Sequence, residues 1–225
     1  KNHFLIFDVE KPPKKRFSKS YQSGPLSFEY FLDGVKIISN SGFGNNISKK
    51  AELLSRVTAC QSTLTINDTS INKFETNDMI NKVFGNSIQN SFKSFDLVTE
   101  NKNEEIGCSS SHNGYEKKFG CTHKREIYID KEKNYLKGTD HIFKAKDGYP
   151  IRYAFRFHIN PELNVVKTMS GNSALIQISK NKSLLFTVND ENLDIEKSIF
   201  LGEKKIIDST CITISGNLVN KSKVF

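Results

Sequence analysis

Short segments with an alternating apolar and polar pattern constrain the fold of this chain more than any other feature. The clearest is RYAFRFHI at residues 152–159, in which large apolar side chains occupy every second position. A period of two residues is typical of a strand with one buried face. Further strand-like segments follow at residues 174–179, 184–188, 196–201 and 206–214, with Gly- or Asn-containing turns between them. This series predicts an all-β fold, a two-layer antiparallel β-sandwich of many short strands with few or no helices.

A hairpin is the strongest local prediction in the N-terminal part. Residues 26–30 (LSFEY) alternate like a strand, and residues 35–39 form a second apolar run. Asp33-Gly34 stands between them, and an Asp-Gly pair in that position is the best short-range signal for a hairpin turn. We therefore expect two paired strands within residues 21–42.

Several weaker patterns complete the prediction of secondary structure. Residues 43–52 are polar and rich in Gly and Asn, which favours a loop. Residues 71–89 are the one plausible helical stretch, and residues 63–67 alternate like a strand. Residues 134–140 and 141–146 are interpreted as a pair of strands, followed by a turn at Asp147-Gly148.

The charge of the chain has two explanations. The formal net charge is +8, and only five of the 33 basic residues are Arg. The Lys excess agrees with codon bias and solvated faces, or with attraction to an acidic partner. Nucleic acid is not the expected partner, because Arg is scarce and no recognition motif is present.

The length and hydropathy bound the organisation. We expect one domain over residues 1–225 and no membrane span, because no apolar run approaches about 20 residues. The opening KNHF is not a natural start, so we expect the chain to be a fragment of a longer protein.

The four cysteines lack zinc-finger spacing. Cys60 and Cys211 lie in strand-like apolar runs and are expected to be buried thiols. Cys108 and Cys121 flank a loop, and two states stay open for them, a disulfide or free thiols.

Side chains capable of proton transfer and anion binding gather between residues 111 and 125. The segment SHNGY contains His112 and Tyr115, and a strand that follows contains His123 and Arg125 on one face. Imidazole titrates near neutral pH, and Arg binds carboxylates through two parallel bonds. The alternative is structural, with His capping a turn and Arg paired to a neighbouring acid. The polar face formed by Arg152, Arg156 and His158 is expected to be an ordinary solvated sheet face.

Six motifs in order give the chain a family resemblance from about Gln22 to the C-terminus. They are LSFE at 26–29 with NSG at 40–42, TACQSTL at 58–64, SHNGY at 111–115, HKR at 123–125, RFH at 156–158 and SIFLG at 198–202. Their order and spacing resemble the C-terminal β-sandwich of heparinase II/III-type polysaccharide lyases. The family carries His where this chain has Gln22 and Gln61.

The resemblance implies β-elimination on an acidic, uronate-containing polysaccharide such as a glycosaminoglycan. It also implies a bacterial protein of the periplasm or cell envelope, with the cytoplasm kept open as the alternative. A further implication is an N-terminal α/α toroid that supplies half of the site. No toroid is present in this sequence, so the chain alone is expected to be inactive. Because Gln22 cannot transfer protons, the acid and base roles shift to other residues. The candidate site residues are His112, Tyr115 and His123 for catalysis, and Arg125, Gln22, Asn40 and Gln61 for substrate binding.

Some lyases of this group hold zinc through His, Asp and His, and the matching positions here are Gln22, Asn40 and Gln61. Zinc prefers imidazole, thiolate or carboxylate ligands. We therefore expect no metal and no cofactor, and a hydrogen-bonded group of amides instead.

Two other functions are kept as alternatives. One is a non-catalytic domain of the same lineage that binds a glycan or braces a partner, which the three amides favour. The other is a basic nucleic-acid-binding module.

Overall fold

The part of the chain that the computed structural model describes contains fifteen strands, three short α-helices and three single turns of 3-10 helix. That part is residues 2–102, 105–145, 149–189, 191–202, 204–219 and 222–225, so the turn predicted at Asp147-Gly148 lies outside it. The strands are β1 (His3–Phe7), β2 (Phe28–Leu32), β3 (Val35–Ser39), β4 (Leu64–Ile66), β5 (Ser94–Asn101), β6 (Glu105–Tyr115), β7 (Cys121–Asp130), β8 (Tyr135–Lys144), β9 (Ile151–Ile159), β10 (Asn164–Lys167), β11 (Ser173–Ser179), β12 (Lys182–Thr187), β13 (Asp194–Gly202), β14 (Lys205–Leu218) and β15 (Ser222–Val224). The helices are α1 (Lys49–Ser55), α2 (Asp78–Phe84) and α3 (Glu116–Phe119).

The first sheet has the order β1-β2-β3-β9-β14-β13, and β4 also pairs with β9. One edge of β9 is shared, because β3 pairs with its C-terminal end and β4 with its middle. The predicted hairpin is confirmed as β2 and β3. Asp33 and Gly34 between them have φ values of 51° and 83°, and a turn with two positive φ angles matches the twist of paired strands.

The second sheet has the order β15-β8-β7-β6-β5, and β10, β11 and β12 form a third, smaller sheet. The first two sheets pack face to face. The His123 ring on β7 lies 5.7 Å from the Phe155 ring on β9, and the Arg125 guanidinium lies 5.3 Å from the Phe28 ring. Strands in all three sheets pair antiparallel. The prediction of an all-β antiparallel sandwich is therefore confirmed.

Strand β7 shows how the sequence pattern places side chains in the core. Its residues alternate strictly between buried and partly exposed, beginning with buried Cys121. His123, Arg125, Ile127 and Ile129 consequently share the inner face, as their spacing predicted. Two polar side chains are thus buried beside two isoleucines.

The start of β2 differs from its prediction. The strand begins at Phe28, whereas Leu26 has a φ of 58° and lies in a turn closed by Ser27 N donating to Gly24 O at 2.9 Å. Leu26 N also donates to Asp8 O at 2.8 Å. Contacts with the end of β1 therefore replace the regular strand at this position.

The prediction of a loop over residues 43–52 is wrong in its second half, where α1 begins. The side chain of Ser48 accepts a hydrogen bond from Ala51 N and caps the helix. The helical stretch predicted within residues 71–89 is confirmed only for α2, which Asn77 caps and Gly85 ends at a φ of 65°.

The strand pair predicted over residues 134–146 is wrong. Strand β8 is continuous and pairs with β7 along its whole length without a shift of register. The pairing runs from Lys144 opposite Cys121 to Tyr135 opposite Asp130.

All four cysteines are free thiols. Cys121 lies opposite Tyr115, which is seven positions along β6 from Cys108. Seven strand residues span roughly 23 Å, far beyond the reach of a disulfide. The prediction of buried thiols is confirmed for Cys60 and Cys211.

No helix in the described residues is both long enough and apolar enough to cross a bilayer.

Candidate functional site

Three amide side chains lie near the end of α1 and the segment that follows it. They are Gln22, Asn40 and Gln61, and we call them the amide group. Gln22 Nε2 donates to Gly42 O at 2.7 Å and to Ser55 O at 3.1 Å. Gln61 Nε2 donates to the same Ser55 carbonyl at 2.8 Å. The two glutamines are therefore joined through one shared acceptor.

Asn40 holds the chain immediately after Gln61. Its Oδ1 accepts a hydrogen bond from Ser62 N at 2.8 Å. Gly24 makes room for this arrangement, since a Cβ there would lie only 2.8 Å from Gln61 Cγ. Gln61 is buried, whereas Gln22 and Asn40 are half-buried.

The amide group does not fit zinc. Its donors are neutral amides, and the nitrogens of both glutamines already donate to backbone carbonyls. Zinc prefers ligands with a charge or an imidazole lone pair. The amide group is therefore assigned no metal, and the absence of zinc stays a prediction.

A second polar cluster lies between the sheets and consists of His112, His123, Arg125 and Asp140, which we call the charged network. Strands β6 and β7 place His112 opposite His123, and β7 and β8 place Arg125 opposite Asp140. His112 Nε2 and His123 Nδ1 are 3.2 Å apart, and His123 Nε2 and Asp140 Oδ1 are 2.6 Å apart.

Arg125 is the centre of the charged network. Its Nε and Nη2 donate to the two oxygens of Asp140 at 2.8 and 3.0 Å, a bidentate pair. Its Nη1 donates to Leu26 O and Ser62 O, both at 2.8 Å. One guanidinium thus connects the second sheet to two segments of the first layer.

The contacts assign the protons of both imidazoles. Gly114 N donates to His112 Nδ1 at 3.1 Å, so this nitrogen carries no proton and Nε2 is the donor. His112 Nε2 then donates to His123 Nδ1, which leaves His123 Nε2 as the donor to Asp140. Neutral His112 and neutral His123 therefore form one directed chain of hydrogen bonds that ends on a carboxylate.

Burial controls the ionisation of this network. His112, His123 and Arg125 are at most 1% exposed. Burial holds the pKa of His112 well below its usual value, and the nearby imidazole of His123 and the positive charge of Arg125 act in the same direction. Burial also lowers the pKa of His123, although Asp140 opposes the shift. Burial alone would raise the pKa of Asp140, but Arg125 and His123 outweigh it and lower that pKa to about 2.

Tyr115 is also held inside the protein. It is 2% exposed, and its hydroxyl lies 3.1 Å from Leu64 O and 3.0 Å from Thr69 O. Burial raises the pKa of this phenol. The side chain ties β6 to β4 and the residues that follow it.

The predicted site residues thus separate into two places. The amide group gathers around Ser55 and Ser62, where Gln22 and Asn40 are partly open to solvent. His112, Tyr115, His123 and Arg125 are enclosed and have partners within the protein. A polysaccharide cannot touch them in this conformation. Their catalytic and substrate-binding roles stay predictions, and the geometry favours the structural alternative.

Two buried polar residues with structural roles were not anticipated. Asp140 completes the charged network. The pairing of β7 with β8 could have indicated its role, because this pairing sets Asp140 opposite Arg125. Arg56 is fully buried at the end of α1, and no pattern in the sequence indicated this.

The prediction of a solvated face on β9 is wrong for His158. This residue is 4% exposed, and its Nε2 lies 3.0 Å from Ala59 O. The segment around Ala59 covers this part of the sheet. Burial lowers the pKa of His158 to about 4.

The surface of the described residues has two shallow clefts whose linings are known, and neither lining contains a predicted site residue. One, of about 380 Å³, is lined by Ser170, Asn172, Glu191 and Asn192. The other, of about 220 Å³, lies between residues 9–11 and side chains of strands β5 and β6.

The sequence matches the family model described as heparinase II/III-like, C-terminal, over residues 1–223. The chain therefore belongs to this family and is a C-terminal domain of the heparinase-like polysaccharide lyase type. No curated protein matched the sequence in a sequence search.

Solved structures agree with this assignment at the level of the fold. A crystal structure of the heparan sulfate lyase HepC from Pedobacter heparinus matches with a TM-score of 0.75 and 14% identity, over 98% of this chain and 32% of that one. A mutant of the same lyase matches with a TM-score of 0.75 and 13% identity over the same shares. A crystal structure of heparinase III matches with a TM-score of 0.63 and 13% identity, over 90% of this chain and 29% of that one. The chain thus spans about one third of the length of the structures it matches.

Proposed function

We propose that this chain serves as the C-terminal domain of a lyase that cleaves an acidic, uronate-containing polysaccharide by β-elimination. The observation that carries this proposal is the family match over residues 1–223. The neighbouring structures support it, because those described as heparan sulfate lyases match almost the whole chain.

The reaction needs a base, an acid and a positive group near the uronate carboxylate. The base removes the proton beside the carboxylate, the electron pair forms a carbon–carbon double bond, and the glycosidic oxygen leaves with a proton from the acid. Gln22, an amide, cannot take either role. We therefore propose that an N-terminal helical domain supplies the proton-transfer groups and that this domain forms the opposite wall of the cleft.

The charged network and Tyr115 have a supporting role in this proposal. Arg125 holds Leu26 and Ser62, which lie next to the segments that carry Gln22 and Gln61. The buried residues thus fix the backbone on which the amide group is displayed, and they are positioning residues.

The test is to incubate the natural protein, expressed from its own gene, with heparin, heparan sulfate, chondroitin sulfate and alginate. Ultraviolet absorbance of the unsaturated product is expected with at least one of them, and the 225-residue chain alone should give none. Tyr115→Phe should leave kcat within about threefold, whereas loss of a direct acid or base costs about 100-fold or more.

A non-catalytic, glycan-binding domain is the second candidate, and the amides at Gln22, Asn40 and Gln61 favour it. Binding of these polysaccharides without any unsaturated product would support that candidate and contradict the lyase proposal. A loss of kcat of about 100-fold in Tyr115→Phe, with unchanged thermal stability, would instead restore its catalytic role.

A further inference from the structure

The loop of residues 11–19, which we call the basic loop, presents an unusual concentration of positive charge. It contains Lys11, Lys14, Lys15, Arg16 and Lys19 and no acidic residue. All five cations are exposed. The Nζ atom of Lys15 lies 3.7 Å from Oε2 of Glu75. Within the described residues, no ion pair joins Lys14, Arg16 or Lys19 to a carboxylate. Their charge is therefore available to an external anion.

An exposed aromatic ring lies among these cations. Phe17 is 64% exposed, and the Arg16 guanidinium packs 4.6 Å from the centre of its ring. Burying this ring against another surface would be favourable, since an aromatic side chain offers a large apolar area. Sugar rings carry C–H faces that pack on such a ring, while their acidic groups pair with the neighbouring cations.

The basic loop is held in place from below by Arg56. Arg56 Nη2 donates to Ser18 O at 2.8 Å, and Arg56 Nε donates to Tyr21 O at 2.9 Å. The Ser18 hydroxyl donates to Lys15 O at 2.7 Å and accepts from Ile88 N at 2.9 Å. The backbone that carries the cations is thus fixed before any ligand arrives, which reduces the entropy lost on binding.

Arg56 adds its own positive charge beneath the basic loop. It is fully buried, its hydrogen bonds go to carbonyls, and its Nη1 has no hydrogen-bond partner within the described residues. No carboxylate forms an ion pair with Arg56 within the described residues, and Glu52 is near enough to offset only part of its charge. The buried guanidinium therefore raises the positive potential of the surface above it.

The basic loop adjoins the amide group through two consecutive residues. Ser55 O accepts hydrogen bonds from Gln22 and Gln61, and Arg56, the next residue, holds the basic loop. A long polyanion bound across the loop would therefore pass close to the amide group.

We propose that the basic loop, with Phe17 at its centre, is a binding site for the sulfate and carboxylate groups of an acidic polysaccharide. This proposal rests on the proposed function, which supplies the class of ligand. A glycan is favoured over nucleic acid because the loop offers one aromatic ring and one Arg. Nucleic-acid sites instead combine several stacking aromatics along a groove.

The test compares two variants of equal charge in the natural protein. The loop variant is Lys14→Gln/Arg16→Gln/Lys19→Gln, and the control variant is Lys137→Gln/Lys180→Gln/Lys205→Gln, all at exposed positions. Binding to immobilised heparan sulfate is measured at low and high salt, with thermal melting as the check on folding. We expect the loop variant to bind about tenfold more weakly and the control to stay within about twofold of wild type. Phe17→Ala should weaken binding about threefold, and it should do so equally at both salt concentrations.

Equal weakening by both triple variants would overturn the proposal, because the attraction would then be diffuse. Unchanged binding by the loop variant would overturn it as well. A single-stranded oligonucleotide bound as tightly as heparan sulfate, and with the same loss in the loop variant, would contradict the glycan assignment. The lyase assay reads the proposed function separately, since unsaturated product can form whether or not the loop variant loses affinity.

Discussion

The amide group and the charged network are polar clusters that both contain residues at positions of the family motifs, but they differ in charge and burial. Gln22 and Asn40 are half-buried and neutral, and their bonds go to backbone groups. Arg125 and Asp140 are charged and enclosed. A neutral amide near water can replace another polar side chain at small cost, whereas a buried charge cannot lose its partner without a large penalty. The chain can therefore depart from the family pattern at Gln22 and Asn40 and keep its fold. At Gln61, which is buried, the bond to Ser55 O satisfies the amide nitrogen.

The largest expected effect comes from breaking the charged network. Asp140→Asn leaves the Arg125 guanidinium buried without a counter-charge, and we expect the free energy of unfolding to fall by about 3–5 kcal/mol. Urea denaturation followed by circular dichroism measures this. Asp130→Asn is the matched control, because its ion pair is with Lys133, a side chain that is 70% exposed. The control should lose less than about 1 kcal/mol, and an equally small loss in Asp140→Asn would remove the contrast between the clusters.

The next effect is a dependence of stability on pH. Burial lowers the pKa of His158 to about 4 and also lowers those of His112 and His123. The unfolded chain takes up protons below about pH 6.5, while the folded chain resists them, so stability is present above that pH and is lost as the pH falls. His158 alone contributes roughly 3 kcal/mol between pH 6.5 and 4. Asp140, with its pKa at about 2, adds a further loss below its ordinary value of 3.8.

Urea denaturation at several values between about pH 7 and pH 4 checks this prediction. The amide group has no proton to exchange in this range, so a variant such as Gln22→Ala should keep the wild-type slope. A flat profile in wild type would show that the three imidazoles are not held neutral by burial.

The smallest effect is expected at the amide group itself. Adding zinc or a chelator should leave the melting temperature of wild type unchanged, because neutral amides are poor zinc ligands. The variant Gln22→His/Asn40→Asp/Gln61→His restores suitable donors and serves as the positive control for binding. Stoichiometric zinc in purified wild-type protein would contradict the prediction.

Parts of the fold and site could be predicted because their signals are local. The turn at Asp33 and Gly34 follows from residues that tolerate positive φ, and the inner face of β7 follows from its period of two. Helix α1 was missed because its capping residue, Ser48, stands among Gly and Asn residues that are typical of loops. The single continuous strand β8 was missed because ladder pairing with β7 decides its length.

The burial of the candidate catalytic residues lay beyond local patterns. A run such as SHNGY indicates side chains that can transfer protons, but not whether water reaches them. His112 is enclosed because β7 lies beside it and because the centre of the Phe92 ring lies 5.8 Å from the centre of the His112 ring. His158 is enclosed because the distant segment around Ala59 covers its sheet face.

The sequence by itself determined the all-β class, the β2–β3 hairpin, the family and the replacement of possible zinc ligands by amides. These depend on residue type and spacing along the chain. Only the tertiary structure decided that Arg125 pairs with Asp140 inside the sandwich and that Ser55 joins the two glutamines and, through Arg56, the basic loop. Those contacts depend on which strands pair and which segments pack together, and a charge or a proton behaves according to what surrounds it in space.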